Sequence, residues 1–363
     1  MTVPHRLSAV FEALLRGWNG EEAVVRFDAP TDTWMMIGVH STVLGPAMGG
    51  TRMKVYAAPE DALADVLRLS EAMTFKQAAA DLPYGGGKAV LAVPALPARG
   101  SAERRDLLLR YAALVDSLHG TYVTAADMNT GPPEMDVIGE RTQHVLGRSP
   151  AAGGSGDPGV GTAVGVFHGI RASCLHALGS PDLDGRSILV QGVGSVGGRL
   201  VDMLKDEGAT LLVSDADEGR ARAAADRLGA KLVTPDDAFE TECDVFAPCA
   251  TGPVLTGETI PRLRCRVIAG AANNQLGALE DARLLRDRGI LYAPDFVINA
   301  GGVIHLAGYE TLGWDDARMA ARLAGIGETL AGVFAEADRD GITTAEAADR
   351  LARDRLAAGP SRR

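Results

Sequence analysis

The segment SILVQGVGSVGGRLVDML constrains the fold more than any other part of the chain, because it joins three local signals in one order. The apolar run from Ser187 to Gln191 reads as a buried strand, Gly192, Gly194 and Gly197 follow in a GxGxxG spacing, and helical periodicity begins at once. Each glycine has a mechanical reason in a strand–turn–helix unit that holds a dinucleotide. Gly192 permits the tight turn, Gly194 lets the backbone approach a pyrophosphate, and Gly197 lets helix and strand pack closely. Val196, between the last two, falls in the first turn of the helix, whose free N–H groups and partial positive charge suit phosphate. Asp215 ends the next apolar run, LLVSD, where a carboxylate can accept hydrogen bonds from both adenosine ribose hydroxyls. That favours NAD over NADP, although Arg220 and Arg222 stand nearby. The alternative is a glycine-rich turn that binds nothing, and the flanking strand, helix and acid weigh against it.

The surrounding texture agrees. Beyond a glycine-rich stretch, AAGGSGDPGVG (151–161), which reads as a hinge, short apolar runs alternate with helical stretches through DVFAPCA, RVIAGAA and ILYAPD. That alternation signals an α/β unit with a parallel sheet. Upstream, Glu22 to Phe27 and Thr33 to His40 read as strands. Pro59 to Asp81 reads as a helix with Leu63, Val66, Leu67 and Leu69 on its apolar side, and Ala102 to Leu118 as another amphipathic stretch. A chain of 363 residues exceeds one ordinary core, so two domains are expected, divided near residue 148.

The net charge of −11 argues against a nucleic-acid or anionic-membrane partner. The four cysteines (Cys174, Cys243, Cys249, Cys265) lack both CxxC spacing and the density of a disulfide framework, and read as reduced thiols. The seven histidines show no ligand spacing, so no metal is expected. Neither a signal-peptide core nor an apolar run of spanning length is present in the sequence, which leads to the expectation of a cytoplasmic protein.

The chemistry-bearing residues of the first part lie in GPAMGGTRM, MTFKQAAADLPYGGGKAV and TYVTAADMNT. Lys76 falls at the end of the first long helix. Lys88 follows Gly85, Gly86 and Gly87, three glycines that would bring backbone close to a ligand and leave the lysine unshielded. A lysine in a dry cleft loses the solvation of its charged form, so its pKa falls and it becomes a usable base. Asp127, after the strand-like TYVTAA, is its candidate partner in proton exchange. Taken singly, each of these residues is more often a solvated surface charge.

Together with TAVGV, QGVGSVGG, GAANN and APDFVINAGGVI, these motifs resemble the glutamate/leucine/phenylalanine/valine dehydrogenase family, in the family's order over residues 22–350 and closest to its hydrophobic amino acid branch. The resemblance implies an α/β fold of two domains: a substrate domain (1–148) and an NAD-binding Rossmann domain (149–334), with the active site in the cleft between them. It also implies that a carboxy-terminal helical segment, about 335–363, returns to the first domain. By the same resemblance Lys76 holds the substrate carboxylate, Lys88 is the general base that polarises the attacking water, and Asp127 exchanges protons with the substrate amine. Gly49 and Gly50 approach the substrate, and Thr162 contacts the nicotinamide carboxamide. Asn273 is a polar contact to substrate or nicotinamide, with Asn274 a weaker candidate. Asn299 lines the cleft, and Ala250 joins the cofactor set. The implied reaction is reversible oxidative deamination of an L-amino acid to its 2-oxo acid and ammonia, by a homo-oligomer.

Glutamate is argued against by Met48, since the glutamate enzymes place a lysine directly before the corresponding GG pair. A side-chain carboxylate buried against methionine would cost several kcal/mol. Among hydrophobic substrates two signals conflict. MNT after Asp127 and GGVIHLAGYETLGW favour phenylalanine, whereas the pocket positions Ala125 and Val303 look like those of the leucine and valine enzymes. Phenylalanine is the favoured expectation and a branched-chain substrate the alternative. More remote readings are a 2-hydroxy acid dehydrogenase, which would ordinarily show a histidine–arginine set, and a non-catalytic NAD-binding regulator.

Overall fold

The computed structural model describes residues 9–250 and 252–360. His5 and the last residues of the polar tail, 361–363, lie outside the described residues. The chain forms two compact units, one built from residues up to Asp157 and from Arg355 onward, the other from Pro158–Asp354.

In the first unit, strands β1 (Glu22–Asp28), β2 (Thr33–Ser41), β3 (Ala47–Lys54), β4 (Gly85–Ala92) and β5 (Tyr122–Ala126) form one sheet in the order β1-β2-β4-β3-β5. The first two pairings are antiparallel, while β4, β3 and β5 run parallel. Helix α1 (Ala9–Gly17) precedes the sheet, and α2 (Pro59–Ala79) covers one face. Helices α3 (Ala102–Asp116) and α4 (Pro132–Gly139) lie on the other. Side chains alternate between these layers, as a period of two requires. Met35, Ile37, Ala89, Leu91 and Met53 pack with Leu107, Leu108, Tyr111 and Ile138, whereas Met36, Val90 and Ala92 pack with Leu63, Val66 and Leu67 of α2. Helix α2 starts where its sequence allows: Pro59 occupies the first turn, and Asp61 Oδ2 accepts from the Ala58 N–H at 3.1 Å.

The three glycines before Lys88 serve packing, not ligand approach as expected. A Cβ on Gly85 would sit 1.8 Å from the Ser41 carbonyl oxygen, one on Gly86 2.0 Å from Thr74 Oγ1 of α2, and one on Gly87 2.7 Å from the Tyr122 ring. The helix and the neighbouring strands therefore press on β4 more closely than any side chain permits.

The second unit carries six parallel strands: β6 (Ser187–Gln191), β7 (Thr210–Ser214), β8 (Lys231–Leu232), β9 (Val245–Pro248), β10 (Val267–Ile268) and β11 (Leu291–Tyr292). Their order, β8-β7-β6-β9-β10-β11, is the doubly wound 3-2-1-4-5-6 arrangement of a Rossmann sheet. Its helices are α5 (Gly159–Leu178), α6 (Ser195–Asp206), α7 (Glu218–Leu228), α8 (Asp281–Asp287), α9 (Asp295–Ile298), α10 (Gly301–Glu310) and α11 (Asp316–Asp340). Helix α5 crosses α10 at near backbone contact, since a Cβ on Gly301 would lie 2.0 Å from the Gly161 carbonyl oxygen.

The return to the first unit comes later than residue 335. Helix α11 runs to Asp340, and its apolar stripe of Leu323, Ile326, Leu330 and Phe334 is buried within the second unit, where Leu330 and Ile326 meet the Gly169 and Gly165 positions of α5. Only the end of α12 (Thr344–Ala358) belongs to the first unit. There the Arg355 guanidinium donates to the carbonyls of Ala78 and Ala79 at 3.0 and 2.5 Å, closing the last turn of α2.

Candidate active site

The sheet face beneath α2 gathers most of the sequence candidates of the first unit. Met48 pairs with Gly86 across the β3–β4 ladder, Gly50 pairs with Ala125 across β3–β5, and Gly38 of β2 stands opposite Lys88. By the period-two rule Met48, Gly50, Arg52, Lys88 and Ala125 thus share one face. Asp127 follows one residue past the end of β5. Its backbone N–H donates to Thr130 Oγ1 at 2.9 Å, and that hydroxyl donates to the Thr51 carbonyl at 2.8 Å, which pins the turn to β3. Met48 and Ala125 are buried at 1% and 4% exposure, an apolar floor beside the charges. Gly49 points to the other face and is required there, since its Cβ would fall 1.7 Å from the Gly87 carbonyl oxygen. Lys76 lies in the last turn of α2, half-buried, two residues beyond the Thr74 that presses on Gly86.

Lys88 Nζ stands 3.1 Å from Asp127 Oδ2, and the same oxygen accepts from Arg52 Nε at 2.9 Å. Burial pushes the Lys88 amine below its ordinary value, and the Arg52 charge adds to that effect against the attraction of Asp127. Burial alone would push the Asp127 carboxyl up. The two cations and their hydrogen bonds outweigh it and hold the group at about 2. Asp127 is therefore the resting anion of the pair, and Lys88 is the member whose charged form burial disfavours. Arg52 escaped the sequence reading. It sits in the GGTR run already singled out, but the spacing gives no sign that it would meet a carboxylate 75 positions away.

In the second unit the glycine motif divides its labour as the strand–turn–helix context implies. Gly192 has φ +93, Gly197 would place a Cβ 1.9 Å from the Gly192 carbonyl oxygen, and a Cβ on Gly194 would meet nothing within 4 Å. Open space at Gly194, at the amino end of α6, is what an approaching pyrophosphate needs. Val196 is half-buried in the first turn of α6, and Ala250 lies against Gly192, its nitrogen 2.7 Å from where a Cβ would be. Asp215, past the end of β7, accepts from the Val193 and Asp217 N–H groups, each at 2.9 Å, with Arg220 at 3.4 Å. Arg222 instead pairs with Glu218 at 2.6 Å. Thr162 donates to the Pro158 carbonyl at 3.1 Å within α5.

Asn299 and Asn273 come together. Asn299 Nδ2 donates to Asn273 Oδ1 at 2.9 Å and to the carbonyls of Ala271 and Ala272, while the buried Asn299 Oδ1 has no partner. An orphaned buried acceptor is costly unless a ligand or water satisfies it. Val303 is half-buried, one turn further along in α10. All four thiols are free, with burial raising Cys174 to about 11 and Cys243, Cys249 and Cys265 to about 12. Among the described residues no helix is long and apolar enough to cross a membrane.

A doubly wound dinucleotide-type sheet, joined to an α/β unit that holds a buried lysine–carboxylate pair, defines the class: an oxidoreductase that works on an amino acid. Comparison with known proteins carries this to the family. Residues 33–144 match the dimerisation domain of the Glu/Leu/Phe/Val dehydrogenases, and residues 213–361 match the Glutamate/Leucine/Phenylalanine/Valine dehydrogenase model. The chain is 44% identical to leucine dehydrogenase of Thermoactinomyces intermedius, over 93% of this chain and 91% of that one. It is 44% identical to valine dehydrogenase of Streptomyces virginiae, over 93% of each. Among solved structures, L-tryptophan dehydrogenase from Nostoc punctiforme superposes with a TM-score of 0.79 at 38% identity, covering 96% of this chain and 98% of that one. The chain belongs to the glutamate/leucine/phenylalanine/valine dehydrogenase family and is an L-amino acid dehydrogenase of its hydrophobic branch. The two relatives at 44% identity are leucine and valine dehydrogenases, which backs the branched-chain alternative better than the phenylalanine expectation.

Proposed function

We propose that this protein catalyses the NAD-dependent, reversible oxidative deamination of a branched-chain L-amino acid. The observation that carries the reading is the Lys88–Asp127 pair, 3.1 Å apart, on the same sheet face as the buried apolar Met48 and Ala125. A base and a fixed anion beside an apolar floor suit an aliphatic amino acid. The names of the two relatives at 44% identity favour leucine or valine over an aromatic substrate.

The division of work follows from the side chains. Lys76 binds the substrate α-carboxylate by charge. Asp127, held ionised, receives the substrate ammonium and relays its proton. Lys88, its cation disfavoured by burial, is the amine able to take a proton from the water that adds to the imino carbon, and to return it as ammonia leaves. Met48 and Ala125 take the side chain, with Gly50 leaving room beside Ala125. The residues that would hold NAD are Gly192, Gly194, Val196, Gly197 and Ala250 about the pyrophosphate, Asp215 at the ribose, and Thr162, Asn273 and Asn299 at the carboxamide. Open space at Gly194 and the unpaired Asn299 Oδ1 fit such a group. When bound, the oxidised nicotinamide accepts the hydride leaving the substrate α-carbon. The dimerisation-domain match supports a homo-oligomer.

The test is reduction of NAD by the purified protein at alkaline pH with leucine, valine, isoleucine, phenylalanine, tryptophan, methionine and glutamate in parallel. The strongest rate is expected among the first three. A stronger rate with phenylalanine would restore the aromatic reading, and silence across the panel would overturn the assignment.

A further inference from the structure

Arg52 does more than touch Asp127. Its Nη1 donates to Asp65 Oδ2 of α2 at 2.9 Å while its Nε donates to Asp127 Oδ2 at 2.9 Å, so one guanidinium bridges two carboxylates. Asp65 is held from behind by the Tyr56 hydroxyl at 2.7 Å and by Arg68 at 2.7 Å. The result is a chain of alternating charge, Lys88–Asp127–Arg52–Asp65–Arg68. Four of the five are largely withdrawn from water: the side chains of Lys88, Asp127, Arg52 and Asp65 are 7%, 23%, 15% and 14% exposed. Arg68 is the most exposed of the five, at 52%.

Such an arrangement is not needed to neutralise Asp127, because Lys88 alone would do that. What a second cation on the same oxygen changes is the partnership. A buried lysine with sole possession of a carboxylate is held in its charged form, which is useless to a base. A planar guanidinium fixed at both ends competes for that oxygen and sets the carboxylate's orientation. We propose that Arg52 is a positioning residue of the deamination: anchored on Asp65, it holds Asp127 by Oδ2 and keeps Lys88 from closing a private ion pair with it, so that the lysine remains available as the base. The proposal rests on the reaction proposed above.

The groups that face Lys88 are accounted for by element. Asp127 follows β5, Arg52 comes from β3, and Asp65 comes from α2, while β2 presents Gly38. His40, further along β2, is engaged by Thr74 and Asn19 at 2.8 and 3.1 Å. Of the charged groups that act on Lys88, Arg52 and Asp65 take no part in the proposed steps.

The test compares the whole chain as wild type, Arg52→Gln and Arg52→Lys, with folding checked by circular dichroism. Two quantities are followed across pH: kcat and kcat/KM for leucine oxidation, and the ionisation of Lys88 itself by competitive labelling with acetic anhydride and mass spectrometry. In Arg52→Gln the Lys88 labelling curve and the acid limb of kcat/KM are expected to move together to higher pH, with kcat down on the order of 10- to 100-fold and KM changed less. Arg52→Lys keeps a cation but cannot bridge, so its limb stays near that of wild type while kcat falls. A folded Arg52→Gln with neither curve displaced overturns the proposal. Where Arg52→Gln does not fold, wild-type kcat in Arg52→Lys overturns it instead. Wild-type protein inactive on every amino acid would sink the proposed reaction, while the labelling curves would still decide whether Arg52 governs Lys88.

Discussion

Lys88 Nζ and Asp127 Oδ2 stand 3.1 Å apart, yet the lysine is the more deeply buried partner, at 7% side-chain exposure against 23%. The asymmetry sets which charge burial disfavours more. Burial lowers the lysine amine from 10.5, whereas its neighbours hold the aspartate at about 2. With the neutral amine as the active form, kcat/KM for deamination should rise with pH through a single limb below the ordinary lysine range. Lys88→Ala should abolish that limb and lower kcat on the order of 100- to 10,000-fold while NAD binding persists. Rates near wild type in this variant would remove Lys88 from the mechanism.

Asp127 carries a separate consequence for stability. Its carboxyl is lower in the folded chain (about 2) than its ordinary 3.8, so the folded state binds fewer protons between those values. The stabilisation is therefore fully present above the ordinary value and is lost as pH falls toward 2. Asp127→Asn should lower Tm at neutral pH, and the gap from wild type should narrow steadily below about pH 4 as the wild type loses its own charge. A constant gap from pH 6 to pH 2 would show that the carboxylate's charge contributes nothing.

Two glycines of the nucleotide motif, Gly194 and Gly197, should separate by experiment, because the space around them differs. Gly194→Ala meets nothing within 4 Å and should leave Tm unchanged while weakening NAD binding. Gly197→Ala would drive a methyl to 1.9 Å from the Gly192 carbonyl oxygen, and backbone cannot yield as a side chain can. It should cost about 1–3 kcal/mol of stability before any cofactor is added. Thermal melts with and without NAD read both effects, and equal behaviour of the two variants would refute the division.

Local periodicity and turn chemistry made much of this fold legible. Pro59 to Asp81 reads as a helix and α2 runs Pro59–Ala79. The strand reading of Thr33 to His40 matches β2 within one residue, and the parallel sheet of the second unit answers the strand–helix alternation after residue 158. What the sequence hides is partnership over distance. The glycines before Lys88 suggested an approaching ligand because Ser41, Thr74 and Tyr122, which crowd them, are remote in the chain. Arg52 went unassigned for the same reason. Helix α11 has an apolar stripe that any core could receive, so its amphipathicity could not say that it stays with the second unit to Asp340.

Cofactor choice turns on Asp215. The carboxylate already accepts the Val193 and Asp217 N–H groups, so it is oriented before any ribose arrives, and the Arg220 guanidinium lies 3.4 Å from it. Asp215→Ala removes the acceptor and leaves that cation with Asp217 as its remaining carboxylate partner. NAD should bind about 10- to 100-fold more weakly, the scale of a charged hydrogen bond. Binding of the 2′-phosphorylated cofactor should improve, because its charge no longer meets a carboxylate. Fluorescence titration with both cofactors measures the ratio, and an unchanged preference would remove Asp215 from ribose recognition.

Substrate choice should answer to Ala125, which is 4% exposed and lies opposite Gly50 across the β3–β5 ladder. Its methyl group fills space on the face that carries Lys88, and the facing glycine offers no side chain to collapse into a gap. Ala125→Gly therefore creates room for a wider side chain without disturbing the charges. A methyl's difference in an apolar pocket is worth about 1–3 kcal/mol, or 10- to 200-fold in discrimination. The ratio of kcat/KM for phenylalanine over leucine should rise by at least about tenfold in this variant, chiefly because leucine loses contact and phenylalanine gains space. Met48→Lys is the complementary change. It puts a cation on the apolar floor, so leucine turnover should collapse while glutamate, whose carboxylate can pair with it, becomes measurable. If Ala125→Gly leaves the ratio unmoved while Met48→Lys shifts it, the side chain lies against β3 and away from β5.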